Sequence, residues 1–191
     1  MDRRDWLKAG GAAALGTALG AVAPAGVTAR PVAGRLKQSV CRWAFGAVAL
    51  PDLCKAGAAM GLAAIDLLQP ADWERVRDFG LVCSMGYPAD RKDFIALGFN
   101  DPAHHAQLLG ELETAIPLAA RRGVPNVITM FGNRGAAADA EAITNCVTGL
   151  NRIKALAEEQ GVTVCVELLN SKVDHAGYQG DRTAFGVAVM R

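Results

Sequence analysis

The chain of 191 residues carries 20 Lys and Arg against 19 Asp and Glu, and 51% of it is hydrophobic. That length is enough for one domain with a sizeable core. The balanced charge excludes the basic excess with which proteins grip nucleic acid or an anionic membrane surface.

The N-terminus reads as an address. Met1 to Lys8 is MDRRDWLK, with the Arg3-Arg4 pair followed by Trp6, Leu7 and Lys8. A weakly apolar Ala/Gly/Leu stretch, Ala9 to Val22, comes next, and Val27-Thr28-Ala29 offers a small-residue cleavage site. This pattern resembles a twin-arginine export signal and implies a periplasmic or otherwise exported protein, free of the membrane after cleavage. A Sec signal or an uncleaved anchor is the alternative, although the stretch is shorter than the roughly 18 residues that span a bilayer. Residues 1–29 are therefore set apart from the fold, which is expected over 30–191. The five cysteines, Cys41, Cys54, Cys83, Cys146 and Cys165, show no CxxC and no zinc spacing, and are expected as small core residues. Export would permit disulfides, but nothing in the spacing asks for one.

Beyond the signal, strands and helices alternate. Gln38–Trp43 is the first expected strand. A helix over Pro51–Met60 follows, with Pro51 at its start and Gly61 as its stop. Ala64–Leu68 is the second strand, Ala71–Phe79 a short helix, and Leu81–Met85 the third strand. The loop from Ala89 to Asn100 is placed to cover a site. Asp101 caps a helix with Pro102 at its first position, running to Arg122 and closed by Gly123. Pro117 lies inside that helix; an interior proline costs roughly 3 kcal/mol, so a kink or break is expected there. Asn126–Phe131 is the fourth strand. In the helix Asp139–Gln160, Ile143, Val147, Leu150 and Ile153 are spaced as one apolar face. Val162–Leu169 is the fifth strand, and Asp181–Arg191 begins another helix.

Such alternation predicts parallel βαβ units, either in an open doubly wound sheet or in a closed (β/α) barrel. No strand is followed by GxGxxG or GxxxxGK[ST], so nucleotide-binding versions find no support. Gly132-Asn133-Arg134-Gly135 is expected as a turn carrying polar groups to a site rim.

Within the fifth strand, VTVCVELLN, one carboxylate interrupts an apolar run: Glu167. An ionised carboxylate is costly inside a core unless it is paired or binds a metal. At the C-terminal end of a buried parallel strand it is either a site residue, since barrels keep their chemistry at that end, or a side chain tipping into solvent.

The segment VTVCVELLNSKVDHAGYQGDRTAFG, Val162 to Gly186, resembles the fifth strand and following loop of the xylose-isomerase-like barrels, the hydroxypyruvate isomerase-like group above all. QSVCRWAF, NDPAHH and GVPNVITMFGNR support the likeness, which runs from about Leu36 to Arg191. It implies a (β/α)8 TIM-barrel fold, of which about the first five βα units are present. It also implies a divalent metal, Mg²⁺ or Mn²⁺, held by a Glu, an Asp, a His or Gln, and a second Glu on strands five to eight. Glu167 matches the first Glu and is the one metal ligand and catalytic residue that the likeness assigns. Such a cation polarises a carbonyl and its neighbouring hydroxyl, and paired carboxylates move a proton between the two carbons.

Two departures matter. The sequence ends inside the helix after the fifth strand, so it reads either as a fragment of a longer protein or as a short product that is not expected to catalyse alone. Open strand edges would then invite pairing with a partner or with a second copy in a homo-oligomer. The second departure concerns the Glu that contacts substrate shortly after the metal Glu in sugar-epimerising relatives; here Val173, Asp174 and His175 stand instead. Asp174 or His175 could substitute, or the pair is simply a solvated loop. Asn170 and Lys172 are also expected at the mouth, Asn170 as a substrate contact.

Other residues receive blander readings. His104 and His105 are expected on the surface. Trp43 is expected in the core, with a pocket wall shared with Phe45 as the alternative. Arg42 needs a partner if it points inward, and Asp66 faces either the lumen or a local donor. Met60, Met85 and Met130 are expected as core residues. The function this supports is a metal-dependent aldose/ketose-type isomerase acting on a small hydroxy-carbonyl or sugar substrate. A non-catalytic exported sugar- or partner-binding barrel is the alternative, and a phosphodiester-cleaving relative such as endonuclease IV is disfavoured by the missing basic stripe.

Overall fold

Short apolar segments pair in chain order. In the computed structural model, which describes residues 36–191, five parallel strands form: β1 (Ser39–Cys41), β2 (Ala64–Asp66), β3 (Val82–Cys83), β4 (Asn126–Met130) and β5 (Thr163–Glu167). The expected signal, residues 1–29, lies outside the described residues. Val40 pairs with Ile65, Ile65 with Cys83, and Met130 with Glu167. Gly86 closes the gap between the two ladders: its N–H donates to the Asn126 carbonyl at 2.9 Å and its carbonyl accepts from Ile128 N–H at 3.0 Å. The strands therefore run 1-2-3-4-5 with helices between them, the first five units of a (β/α)8 barrel.

The helices are α1 (Leu50–Ala59), α2 (His105–Arg122), α3 (Asp139–Gln160) and α4 (Thr183–Met190). Gly123 and Gly161, at φ 63° and 64°, end α2 and α3 in the left-handed conformation that glycine adopts without a Cβ penalty. Leu108, Leu112, Ile116 and Val127 are fully buried in one core with Trp73, Phe99 and Phe131.

Several expectations change. Gln38–Trp43 is a strand only over β1, because Arg42–Phe45 turns into 3-10 helix. Two 3-10 segments, Pro70–Asp72 and Arg75–Phe79, replace the helix expected over Ala71–Phe79. The reason is Trp73, which the turns swing wholly into the core, where its indole N–H donates to the Leu68 carbonyl at 2.9 Å. Helix α2 runs through Pro117 without a break. The carbonyl that loses its helical partner belongs to Glu113, an exposed residue.

Helix α3 buries Ala142, Cys146, Gly149, Ile153 and Ala157, while Ile143, Val147 and Leu150 flank that seam half-buried. Small residues win the centre because α3 approaches so closely: a Cβ on Gly149 would stand 2.4 Å from the Phe99 ring. Met60 is 62% exposed and Trp43 69% exposed, so neither is core; Met85 and Met130 pack as expected. His105 is not a surface residue, since it is buried with Nε2 2.9 Å from the Phe99 carbonyl. The cysteines are all free; Cys54, Cys83 and Cys146 are buried, and Cys41 and Cys165 half-buried. Among the described residues no helix is long and apolar enough to cross a membrane.

Candidate functional site

Glu167 is the last residue of β5. The ladder pairs it with Met130, and beyond that rung the two strand ends are joined by a side chain from the following loop. Tyr178, fully buried, accepts from the Phe131 N–H at 2.8 Å and donates to the Glu167 carbonyl at 2.8 Å. One phenolic oxygen thus continues the β4–β5 pairing and holds the backbone from which the carboxylate projects.

The same loop is stitched down beyond Tyr178. The Gln179 N–H donates to the Gly132 carbonyl at 3.0 Å, and its buried side chain accepts from Asn100 at 2.8 Å and donates to the Ala137 carbonyl at 3.2 Å. Asp139 at the start of α3 receives Arg134 at 2.7 Å and also pairs with Arg182. Those hydrogen bonds, Arg134 first, hold the Asp139 carboxyl below its usual range. Gly132-Asn133-Arg134-Gly135 is not the turn expected: it runs extended through Asn133, which is bridged to Tyr178, and the Arg134 N–H donates to the Gly177 carbonyl at 2.7 Å.

A cavity of about 900 Å³ opens at this C-terminal end of the strands. Glu167, Asp174 and His175 line it from the β5 side, and Trp43, Gln69 and Tyr87 from elsewhere on the wall. The loop over residues 89–100 contributes Arg91 to Ala96, so it does border the site. Arg91 anchors that loop through Glu111 at 3.1 Å and Asp93 at 3.0 Å. Its far end packs on β4, where Phe99 N–H donates to the Met130 carbonyl at 3.1 Å.

Burial pushes the Glu167 carboxyl above its ordinary range, and the nearby His175 partly offsets the shift. Burial first, and then the Glu167 charge, raises the Tyr87 phenol. Glu167 also lines a second cavity of about 440 Å³ on the inner face of the strands, with Asp66, Ser84, Asn126 and Cys165. Glu167 thus borders both the lumen and the mouth. Asp66 takes the lumen position, and it accepts from Ser39 at 2.6 Å and from Ser84.

Three of the four expected site residues, Glu167, Asp174 and His175, thus share one cavity. Asn170 does not line it: its side chain accepts from the Lys172 N–H at 3.0 Å and its carbonyl from the His175 N–H at 3.0 Å, so it shapes the loop instead. Tyr178 and Gln179 escape a sequence reading. The available signal is a tyrosine and an amide held between two glycines, AGYQG, inside the block that carries the family likeness. Among the described residues no group of three or more His, Cys, Asp or Glu side chains is arranged to hold a metal ion. A hard divalent cation needs several oxygens, so Glu167 would serve only with ligands from outside the described residues.

A family model for the xylose isomerase-like TIM barrel matches residues 56–187. No curated protein matches the sequence significantly. Among solved structures, an AP endonuclease, family 2, from Brucella melitensis superposes with a TM-score of 0.66 at 15% identity, covering 82% of this chain and 66% of that one. D-psicose 3-epimerase in the presence of D-fructose gives 0.55 at 16% identity, covering 81% and 60%. A sugar phosphate isomerase/epimerase from Parabacteroides distasonis gives 0.53 at 13% identity, covering 75% and 55%. The chain thus spans between 55% and 66% of the length of these structures, and at such identities the likeness concerns the fold alone. With the family model matched over most of its length and its strands in barrel order, the chain belongs to the xylose isomerase-like TIM barrel family.

Proposed function

We propose that this chain is an exported sugar isomerase or epimerase of the hydroxypyruvate isomerase-like type, with Glu167 as the proton-transferring carboxylate. The observation that carries the reading is the position of Glu167: at the end of a half-buried strand, lining a large cavity, with its pKa raised by burial. A carboxylate so placed takes a proton from a carbon beside a carbonyl more readily than a fully solvated one. Asp174 and His175 border the same cavity and are the candidates for holding a substrate hydroxyl. Trp43, 69% exposed at the rim, offers a flat apolar face to a sugar ring.

The proposed cofactor is a divalent cation, Mg²⁺ or Mn²⁺, which would polarise the substrate carbonyl; Glu167 supplies one oxygen and the other ligands lie outside the described residues. Export rests on the Arg3-Arg4 signal. The test is isomerase or epimerase activity on hydroxypyruvate and on two-ketoses, with and without added Mn²⁺, in the protein and in Glu167→Gln. Activity lost in the variant supports the role; activity retained in Glu167→Gln refutes it.

A further inference from the structure

Just past β3 stands a tyrosine whose backbone and ring are fixed while its hydroxyl is not. The Tyr87 N–H donates to the Leu68 carbonyl at 2.9 Å, which carries the pairing of β2 and β3 beyond their last rung. Pro88 follows and confines the Tyr87 backbone to extended conformations. The ring stands edge-on to Phe94, with centroids 4.9 Å apart and planes at 86°. Phe94 is itself buried, and the Arg91 guanidinium lies over its ring, 5.1 Å from the centroid. Among the described residues nothing hydrogen-bonds the Tyr87 hydroxyl. It is also not one of the enclosed atoms without a partner, which are Gln69 Oε1, Asn100 Oδ1 and His104 Nδ1, so solvent reaches it. Tyr178 is the contrast: its buried hydroxyl both accepts, from the Phe131 N–H, and donates, to the Glu167 carbonyl.

Solvent reaches the Tyr87 hydroxyl at the mouth of the strands. Tyr87 and Glu167 line the same cavity of about 900 Å³. Burial raises the Tyr87 phenol first, and the charges of Glu167 and Cys41, the last residues of β5 and β1, raise it further. A charge acts on a titrating group over about 10 Å or less. The phenol of a residue beyond β3 therefore reaches over the strand ends to within that distance of the Glu167 carboxylate. A carbon in contact with the carboxylate, the oxygen on that carbon pair, and a hydrogen bond from this oxygen to a phenol together span about 7 Å, which fits.

We propose that Tyr87 is a catalytic residue of the isomerase reaction, its hydroxyl donating a hydrogen bond to the substrate oxygen on which negative charge develops as Glu167 takes the proton. This deepens the reading of Glu167 as the base and rests on it. Glu167 removes the proton from the carbon beside the carbonyl. The C–H electron pair becomes the C=C bond of an enediolate, and the carbonyl π pair ends on its oxygen as a negative charge. Tyr87 holds that oxygen and keeps its own proton, as a phenol with an ordinary pKa of about 10 does at neutral pH. The proton on Glu167 then returns to the former carbonyl carbon, and the hydroxyl proton of the neighbouring oxygen passes to the oxygen that Tyr87 holds. The carbonyl has moved by one carbon, and no oxidant or co-reactant is consumed. A donor already fixed where charge appears needs no reorganisation at the moment of reaction.

The experiment compares the full chain, with Mn²⁺, to Tyr87→Phe, which keeps the ring against Phe94 and removes only the hydroxyl. Initial rates are measured on hydroxypyruvate and D-fructose. Titration calorimetry compares glycolohydroxamate, a planar mimic of an enediolate, with dihydroxyacetone, and Tm is followed without ligand. In Tyr87→Phe, kcat is expected to fall about 100-fold with KM within about twofold, the pattern of a contact made only in the transition state. Hydroxamate binding is expected to weaken about tenfold or more, while dihydroxyacetone binding and Tm hold. An unchanged kcat in Tyr87→Phe, with turnover abolished in Glu167→Gln, overturns this inference alone. A raised KM at unchanged kcat, or an equal loss for both ligands, overturns it in favour of an ordinary substrate contact. A Tm lower by several degrees overturns it in favour of a structural tyrosine. Absence of turnover on both substrates in the unsubstituted protein overturns this inference together with the isomerase reading.

Discussion

Two walls of the cavity solve opposite problems. On the β4–β5 side polar groups are densely paired, although Asn100 Oδ1 has no partner: Tyr178 joins both strand ends, the Gln179 side chain holds Asn100 and the Ala137 carbonyl, and Asp139 gathers two arginines. Around the ends of β1 and β2 the chain leaves groups open: Trp43 stands exposed, Leu67 is held in a left-handed conformation, and the Gln69 oxygen has no partner. The first wall fixes the backbone from which the Glu167 carboxylate projects, the positional control that the proposed proton transfer needs. On the proposed reading, the second, with Trp43 exposed at its rim, is the side that a substrate meets. The proposed function would thus divide stability and recognition between the two sides of one cavity.

If that division is right, substitutions on the first wall should damage the fold or the chemistry, and substitutions on the second should damage binding alone. Glu167→Gln has the largest expected effect, a loss of about 100-fold or more in turnover, measured as initial rate. Its stability should move the other way. Burial raises the Glu167 pKa, so the folded chain holds that proton to higher pH than the unfolded chain does. The stability from this group is present below the ordinary glutamate pKa and is lost as pH rises through the raised value. Urea midpoints should therefore be higher in Glu167→Gln at neutral pH, with the gap closing in acid. By the same shift, turnover in the unsubstituted protein should rise with pH through a value above the usual carboxylate range.

Gly98→Ala comes next. A Cβ there would lie 2.1 Å from the backbone of Phe131 and Gly132, where no side-chain rearrangement can relieve it. A loss of about 3 kcal/mol is expected by urea denaturation. A loss within experimental error would show that the loop over residues 89–100 is not fastened to β4. Tyr178→Phe keeps the ring but strands the Phe131 N–H and the Glu167 carbonyl, and should cost about 2 kcal/mol. The smallest effect on stability belongs to the second wall: Trp43→Ala should change it by less than about 0.5 kcal/mol while weakening ketose binding. Should Trp43→Ala unfold the protein, the comparison between the walls fails.

Much of the architecture was legible in the residues. Alternating apolar runs and helical segments placed five strands and the three longer helices in order, with Gly123 marking the end of α2. Glu167 was legible because a carboxylate inside VTVCVELL conflicts with its surroundings. Local pattern failed where distant contacts intervene. His105 looks like a surface residue until Phe99, brought back by the loop, offers its carbonyl. The segment after β2 looks helical until Trp73 demands burial. The centre of α3 looks like Val147 and Leu150, but close packing on Phe99 selects Cys146 and Gly149.

What the sequence determined by itself is therefore the order of strands and helices, the family, and the one carboxylate in the apolar fifth strand, which folds half-buried rather than buried, because each depends on spacing along the chain or on a residue's own transfer cost. Only the tertiary structure decided that Tyr178 bridges the strand ends, that Asn170 builds the loop rather than lining the cavity, and that Gln69 is left unpaired. Those outcomes depend on which polar atoms meet across many residues of intervening chain, and hydrogen-bond accounting has no meaning until the partners share a space.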